Sequence, residues 1–150
     1  MKTYKGYFNP KNPKKYRGDP RNIIYRSRWE SIVMDMFDRH PDVIEWSSEE
    51  IVIPYRSPVD GRMHRYFVDF YVKKRTPTGK IETSLVEVKP LAQTKPPILK
   101  EGKSKMTRNY VNAVMTWGVN SSKWEAAEKY CNERDWSFVI ITEKELGLNF

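Results

Sequence analysis

Tyr66-Phe67-Val68-Asp69-Phe70-Tyr71-Val72 and Ser84-Leu85-Val86-Glu87-Val88-Lys89 are the two stretches on which the reading of this chain turns. Both are rich in β-branched and aromatic residues and read as strands. Between them, Pro77-Thr78-Gly79 suits a short hairpin loop, since proline presets φ and glycine takes the left-handed position. Pairing Thr76 with Lys80 and counting outward sets Asp69 directly opposite Glu87. Phe67, Asp69 and Tyr71 then share one face, as do Leu85, Glu87 and Lys89 on the partner. Aspartate is depleted inside strands, and like charges facing one another are destabilising. The pair needs a reason to be there.

Working outward, Asp60-Gly61 predicts a two-residue type I′ hairpin loop in which Val59 faces Arg62. That register sets Tyr55 against Tyr66, Ile53 against Val68 and Ile51 against Phe70, three apolar pairs on one face. Upstream, Ser27-Arg28-Trp29-Glu30 is a capping box opening a helix with Trp29, Ile32, Val33, Met36 and Phe37 on one side, ending before Pro41. A short strand is expected from Val43 to Trp46. Downstream, residues 90–103 read as a loop. A helix from about Ser104 to Trp117 follows, with Met106, Tyr110, Val111, Val114 and Met115 as its apolar stripe. Ser122-Lys123-Trp124-Glu125 looks like a second capping box, opening a helix to about Arg134. Trp136 to Thr142 reads as a buried strand, and a short closing helix is expected after it. Trp117, Trp124 and Trp136 are expected as core anchors. The order of helix, three-stranded meander, one or two helices and strand predicts an α/β fold, a mixed sheet flanked by helices.

The chain has 150 residues, enough for one domain with a real core. Its formal charge of +8 is concentrated at one end: residues 1–28 carry nine Lys/Arg against Asp19 alone, leaving 18 of the 27 basic and 18 of the 19 acidic residues for the rest. Residues 1–25 therefore read as a basic arm, interleaved with Tyr4, Tyr7, Phe8 and Tyr16, before a domain at 26–150. Lys11, Lys14, Lys15, Arg17 and Arg21 can neutralise phosphates while the aromatics stack on bases, so DNA is the expected partner. The same arm also reads as a solvated terminus, or as one docked on its own domain through its aromatics. Lys103 and Lys105, with Lys100 and Arg108, form a second basic cluster that either grips a phosphate backbone or is a solvated loop. Cys131 is a lone cysteine, which excludes a disulfide framework and a cysteine-based metal site. No apolar run reaches membrane-spanning length and no signal peptide is read, so a cytoplasmic location is expected.

Two facing carboxylates lose their mutual repulsion when a divalent cation binds between them. Oxygen ligands of this kind suit Mg²⁺ or Mn²⁺. Lys89, two residues beyond Glu87 on the same face, is placed to orient an attacking water or to stabilise charge on a phosphate. Glu30 is either a further ligand, one that holds a metal's water, or simply the acidic partner of its own capping box. His40 suits a helix C-terminus, and His64 lies on the face opposite Asp69, so neither is expected as a ligand.

These residues resemble the restriction-endonuclease-like nuclease superfamily, in which an Asp on one strand is followed by Asp/Glu-x-Lys on the next, after a helix bearing a Glu. Here Val68-Asp69, Glu87-Val88-Lys89 and Glu30 fill those places, with Val68 standing where the name-giving motif has Pro. The resemblance covers residues 26–142. It implies that Asp69, Glu87 and Glu30 ligate metal and that Lys89 acts on water or phosphate. More narrowly, the length, the Tyr/Lys-rich opening and the Glu-Val-Lys-Pro run look like the head completion nucleases of tailed phages, and small transposon-encoded endonucleases share the same elements. That likeness implies a Mg²⁺-dependent endonuclease trimming packaged DNA ends in the host cytoplasm or on the virion, with phage head or portal proteins as partners. Two alternatives stay open: a non-catalytic, structural DNA-binding protein, and a junction-resolving or transposon-type endonuclease. A homodimer that cuts both strands is also open.

Overall fold

The structure is a computed structural model and describes residues 4–98 and 107–147. In chain order it contains β1 (Gly6–Tyr7), a 3₁₀ turn (Pro13–Lys15), β2 (Ile24–Tyr25), α1 (Arg28–Arg39), β3 (Val43–Ser48), β4 (Val52–Arg56), β5 (Met63–Phe67), β6 (Phe70–Arg75), β7 (Ile81–Val88), a second 3₁₀ turn (Leu91–Thr94), α2 (Arg108–Asn132) and β8 (Ser137–Ile141). A four-stranded sheet runs in the order β3-β6-β7-β8. Its first three strands are antiparallel, and β8 joins β7 in parallel by way of α2. The mixed sheet flanked by helices is the architecture expected from the sequence.

Alternation along the strands divides the interior in two. Phe70, Val72 and Val86 face α1, where they meet Val33, Met34, Trp46 and, from the arm, Tyr16 and Ile23. Tyr71 and Leu85 face α2, where they meet Ala127 and Cys131 together with Ile53, Tyr55, Tyr66 and Val68 of the hairpin. Each buried Val, Leu, Ile, Phe or Met among them contributes roughly 1.5–3 kcal/mol of transfer free energy. Trp124 and Trp136 pack against the second cluster, and Trp117 meets Trp124 edge to face.

The arm lies on the domain. Tyr16 makes a parallel bridge to Trp46, its hydroxyl accepts the Ser48 N–H (3.2 Å), and the Arg17 N–H donates to the Trp46 carbonyl (2.8 Å). Near the end of α1, the Asp38 carboxylate is fully buried and accepts the backbone N–H groups of Lys11 (2.7 Å) and Asn12 (3.1 Å). The Lys15 ammonium donates to the carbonyls of Asp38 (3.1 Å) and His40 (2.7 Å), satisfying helix-end acceptors that have no partner within the helix.

The hairpin at Thr76–Lys80 has the expected loop and register: Gly79 sits at φ +84 and Phe70 pairs with Val86. Several expectations are corrected. The 66–72 stretch is not one strand. It breaks at Val68–Asp69, so β5 pairs only with β4 in a separate two-stranded sheet while β6 enters the large one. The expected three-stranded meander is thereby split between two sheets. The Asp60-Gly61 hairpin has a four-residue loop, because Ser57 N–H donates to the Arg62 carbonyl (2.9 Å) and Gly61 N–H to the Ser57 carbonyl (2.8 Å). Ile53 accordingly faces Tyr66 rather than Val68, a slip of two residues that leaves the same side chains on the same face. Asp60 uses its carboxylate instead of a left-handed backbone, accepting the Arg62 N–H (2.9 Å) and contacting His64 Nε2 (2.7 Å).

The third correction concerns α2. It is one helix of 25 residues, capped by Thr107 Oγ1, which accepts the Tyr110 N–H (3.1 Å). The Ser122–Glu125 pattern lies in mid-helix: no proline interrupts the ladder, and Gly118 alone costs only about 1 kcal/mol relative to alanine. Val111, Val114 and Met115, expected to be an inward stripe, are exposed, whereas Asn120, Ala127 and Cys131 are buried. Met106 lies outside the described residues. Last, residues 143–147 form turns rather than a closing helix, and β8 is half-buried rather than buried.

Candidate active site

The break at Val68–Asp69 puts Asp69 at a corner where the hairpin hands the chain to the large sheet. Val68 N–H donates to the Ile51 carbonyl (3.1 Å), while the Asp69 carbonyl accepts the Glu49 N–H (3.1 Å). Released from the ladder, the Asp69 carboxylate turns toward β7 and accepts the Val88 N–H through Oδ2 (2.8 Å). Glu87, nearly fully buried, stands beside it. Burial, then the Glu87 charge, then that of Glu30 push the Asp69 pKa up to about 8, against the pull of the Val88 N–H and Lys89. Burial also raises Glu87, opposed by the Tyr66 hydroxyl and by the charges of Lys89 and Lys123.

Lys89 continues from the end of β7, held by its N–H to the Ile141 carbonyl (2.9 Å), and its Nζ lies 3.7 Å from Glu87 Oε1. Glu30 reaches the same corner from the first turn of α1. It serves in the cap as well: its N–H donates to Ser27 Oγ (3.2 Å), and Ser27 Oγ lies 3.2 Å from Glu30 Oε2. Burial raises its pKa, and the nearby Glu49 adds to the shift. Asp69, Glu87 and Lys89 are thus brought together, with Glu30 near enough for its charge to act on Asp69.

The basic residues divide. Lys11, Lys14 and Arg21 are exposed, Lys15 is held by carbonyl oxygens, and the Arg17 guanidinium lies over the Tyr71 ring (5.2 Å), 4.0 Å from Glu45. Asp38, the arm's anchor, is eight residues past Glu30, about 12 Å along the helix. Lys103 and Lys105 lie outside the described residues. His64 is exposed beside Asp60, and His40 is the C-terminal cap residue of α1.

Two residues at the corner escape a reading of the sequence. Tyr66 donates its hydroxyl to Glu87 Oε2, filling one lobe of that carboxylate. Lys123, from mid-α2, sets its ammonium 5.5 Å over the Tyr66 ring and 5.7 Å over the Tyr55 ring, where its charge also acts on Glu87. The signal for Tyr66 was its place three residues before Asp69 on the inward face. Lys123 was masked by the apparent capping box around it.

Among the described residues no three His, Cys, Asp or Glu side chains are grouped to hold a metal ion. The donor set still fits a divalent cation. Burial raises the proton affinity of both the half-buried Asp69 and the buried Glu87, the Glu87 charge adding to it at Asp69, and Mg²⁺ commonly takes only one or two carboxylates, completing its shell with water and substrate phosphate.

The family described as TnsA-like endonuclease N terminal matches residues 40–143, which include Asp69, Glu87 and Lys89. The chain belongs to this endonuclease family. It is also 38% identical over 145 residues, 96% of this chain and 94% of the relative, to the head completion nuclease of Enterobacteria phage T4. No solved structure matches it. The TnsA-like endonucleases have the restriction-endonuclease-like fold seen here, and nucleases of that fold generally use divalent metals. The chain is therefore a DNA endonuclease, and no helix among its described residues is long and apolar enough to cross a membrane.

Proposed function

We propose that this nuclease uses Mg²⁺, or Mn²⁺ in its place, to hydrolyse phosphodiester bonds at the ends of packaged phage DNA while a head is readied for tail joining. The head-completion role rests on the relative in phage T4, which is matched over nearly its whole length. The chemistry rests on one observation: two carboxylates, the half-buried Asp69 and the buried Glu87, share a corner with a lysine whose Nζ is 3.7 Å from Glu87.

Asp69 and Glu87 would hold the cation, and Glu30 would complete its shell through water. The bound cation would supply Lewis-acid polarisation of the phosphate and a nucleophilic water at neutral pH. Tyr66 fixes the Glu87 rotamer by occupying Oε2, which leaves Oε1 turned toward Lys89. Lys89 then donates to the attacking water or to a non-bridging phosphate oxygen, stabilising the charge that grows there. Lys123 adds a second positive charge from the α2 side. Lys11, Lys14 and Arg21 in the arm, with Lys103 and Lys105, bind the DNA backbone with little sequence preference, since phosphate contacts carry none. Head or portal proteins are the expected protein partners and the host cytoplasm the expected place of action.

The test is cleavage of linear and supercoiled duplexes with and without Mg²⁺ by wild type, Asp69→Asn and Lys89→Ala, with DNA binding measured in parallel. Mg²⁺-dependent cleavage lost in both variants, with binding kept, supports the assignment, and nicking of the supercoil shows the internal cut. Tight binding without any cleavage by wild type would return the protein to a structural role in the virion.

A further inference from the structure

Two residues past Lys89 the chain turns into the 3₁₀ segment Leu91–Thr94, pinned by its Leu91 N–H to the Glu143 carboxylate (2.9 Å). Between this segment and α2 lies a cleft of about 250 Å³, lined by Gln93, Lys95, Thr116, Trp117 and Asn120 among others. That volume is about the share of eight water molecules in the liquid, room for one planar heterocycle. Asn120 is the unusual member. It is only 7% exposed and, among the described residues, its carboxamide makes no hydrogen bond. Its amide atoms are not among the fully enclosed unpartnered ones of the described residues, which are Trp46 Nε1 and Trp124 Nε1, so the carboxamide keeps contact with the cleft it lines. Asparagine is a poor helix former, so helix propensity does not account for it in mid-helix.

The lining chemistry is selective. Among the described residues of the lining, two carboxamides and a hydroxyl offer paired donors and acceptors, an indole offers a stacking surface, Lys95 is the one cation and no acid is present. A phosphate would call for more positive charge. A nucleobase matches: carboxamides pair with base edges, and aromatic rings accept the base face. The location agrees. Gln93 is four residues from Lys89, and Asn120 is one helical turn from Lys123, whose charge acts on Glu87.

Resting on the nuclease reading of the adjacent corner, we propose that the cleft floored by Asn120 is a base-binding subsite. It receives an unpaired nucleotide next to the scissile phosphate, so that the enzyme acts on frayed or single-stranded ends in preference to blunt duplex.

The experiment measures binding in EDTA, where no cleavage is possible, using the full chain and duplexes that are blunt or carry one unpaired 2-aminopurine nucleotide at the 5′ or the 3′ end. Wild type should bind one of the unpaired ends about tenfold more tightly than the blunt duplex, in line with a single well-made pair of hydrogen bonds to a base. Asn120→Ala should lower that margin to about twofold or less while leaving blunt-end affinity as it was. Gln93→Ala, on an exposed position that cannot disturb the core, should do the same. Equal binding of all ends by wild type, or an undiminished margin in both variants, overturns the subsite. Metal-dependent cleavage that persists in wild type without any end preference would remove the subsite and keep the nuclease; a preference in a protein that never cleaves would do the reverse.

Discussion

Two carboxylate environments, one fully and one partly buried, lie at opposite ends of α1, and they are built on opposite principles. At the C-terminal end, Asp38 is wholly enclosed, and each of its oxygens is answered by an N–H of the arm. At the N-terminal end, Asp69 and Glu87 are pressed together with Glu30 nearby; burial raises the affinity of both for protons, and the charges of Glu87 and Glu30 raise that of Asp69 further. Burial alone therefore says little about chemistry. The first acid is satisfied and works as a clasp; the second group lacks enough positive charge of its own, which is the condition for taking up a cation.

The sharpest way to break this contrast is to neutralise one acid at each end. Asp69→Asn should lower cleavage by about 10³-fold or more while DNA binding in EDTA is kept. A loss of less than tenfold would remove Asp69 from the chemistry. Asp38→Ala should cost about 3 kcal/mol in urea unfolding, because two N–H groups of the arm lose a charged acceptor. Cleavage per folded molecule should stay within about twofold, and a specific catalytic loss there would erase the distinction between the two ends. Next in size is Tyr66→Phe, which frees Glu87 Oε2 and should reduce turnover by about 10- to 100-fold with affinity for DNA unchanged. Single-turnover kinetics against binding would separate those effects.

The pH dependence sharpens the same comparison. Asp69 holds its proton up to about 8 in the folded state and releases it near the ordinary carboxylate value of about 4 when unfolded. The folded protein therefore binds more protons across that window, and metal-free stability should fall as pH rises from about 4 to 8. Melting in EDTA should show this decline, Asp69→Asn should flatten it, and added Mg²⁺ should reverse it. A wild type that grows more stable across the window would mean the corner is not charge-strained. Smallest of all, Lys15→Ala should cost about 1 kcal/mol with little effect on DNA affinity, since its ammonium is already committed to two carbonyls.

Much of this was legible in the sequence where local chemistry is decisive. The Pro77-Thr78-Gly79 loop fixed one register, and with it the approach of Asp69 to Glu87; Ser27 and Glu30 announced the start of α1. The failures share a cause: each was settled by contacts far away in sequence. Nothing local in Tyr66–Val72 reveals that Val68 bonds back to Ile51 while Phe70 pairs with Val86. Ser122–Glu125 has a helix-start pattern, and only the unbroken ladder from Thr107 denies it. Tyr66 and Lys123 meet Glu87 across the hairpin and α2, a convergence visible only once both are packed on the sheet.

The corner at Val68–Asp69 also couples shape to reactivity. The hairpin of β4 and β5 ends at the residue that opens the site, and its loop leans on α2, where Pro58 lies within van der Waals reach of a Cβ placed on Gly118 (3.5 Å). A tilt of that hairpin would carry the Asp69 carboxylate toward or away from Glu87. The gap between the two acids would then work as a gauge, set by whatever DNA or protein rests on the outer surface of the hairpin.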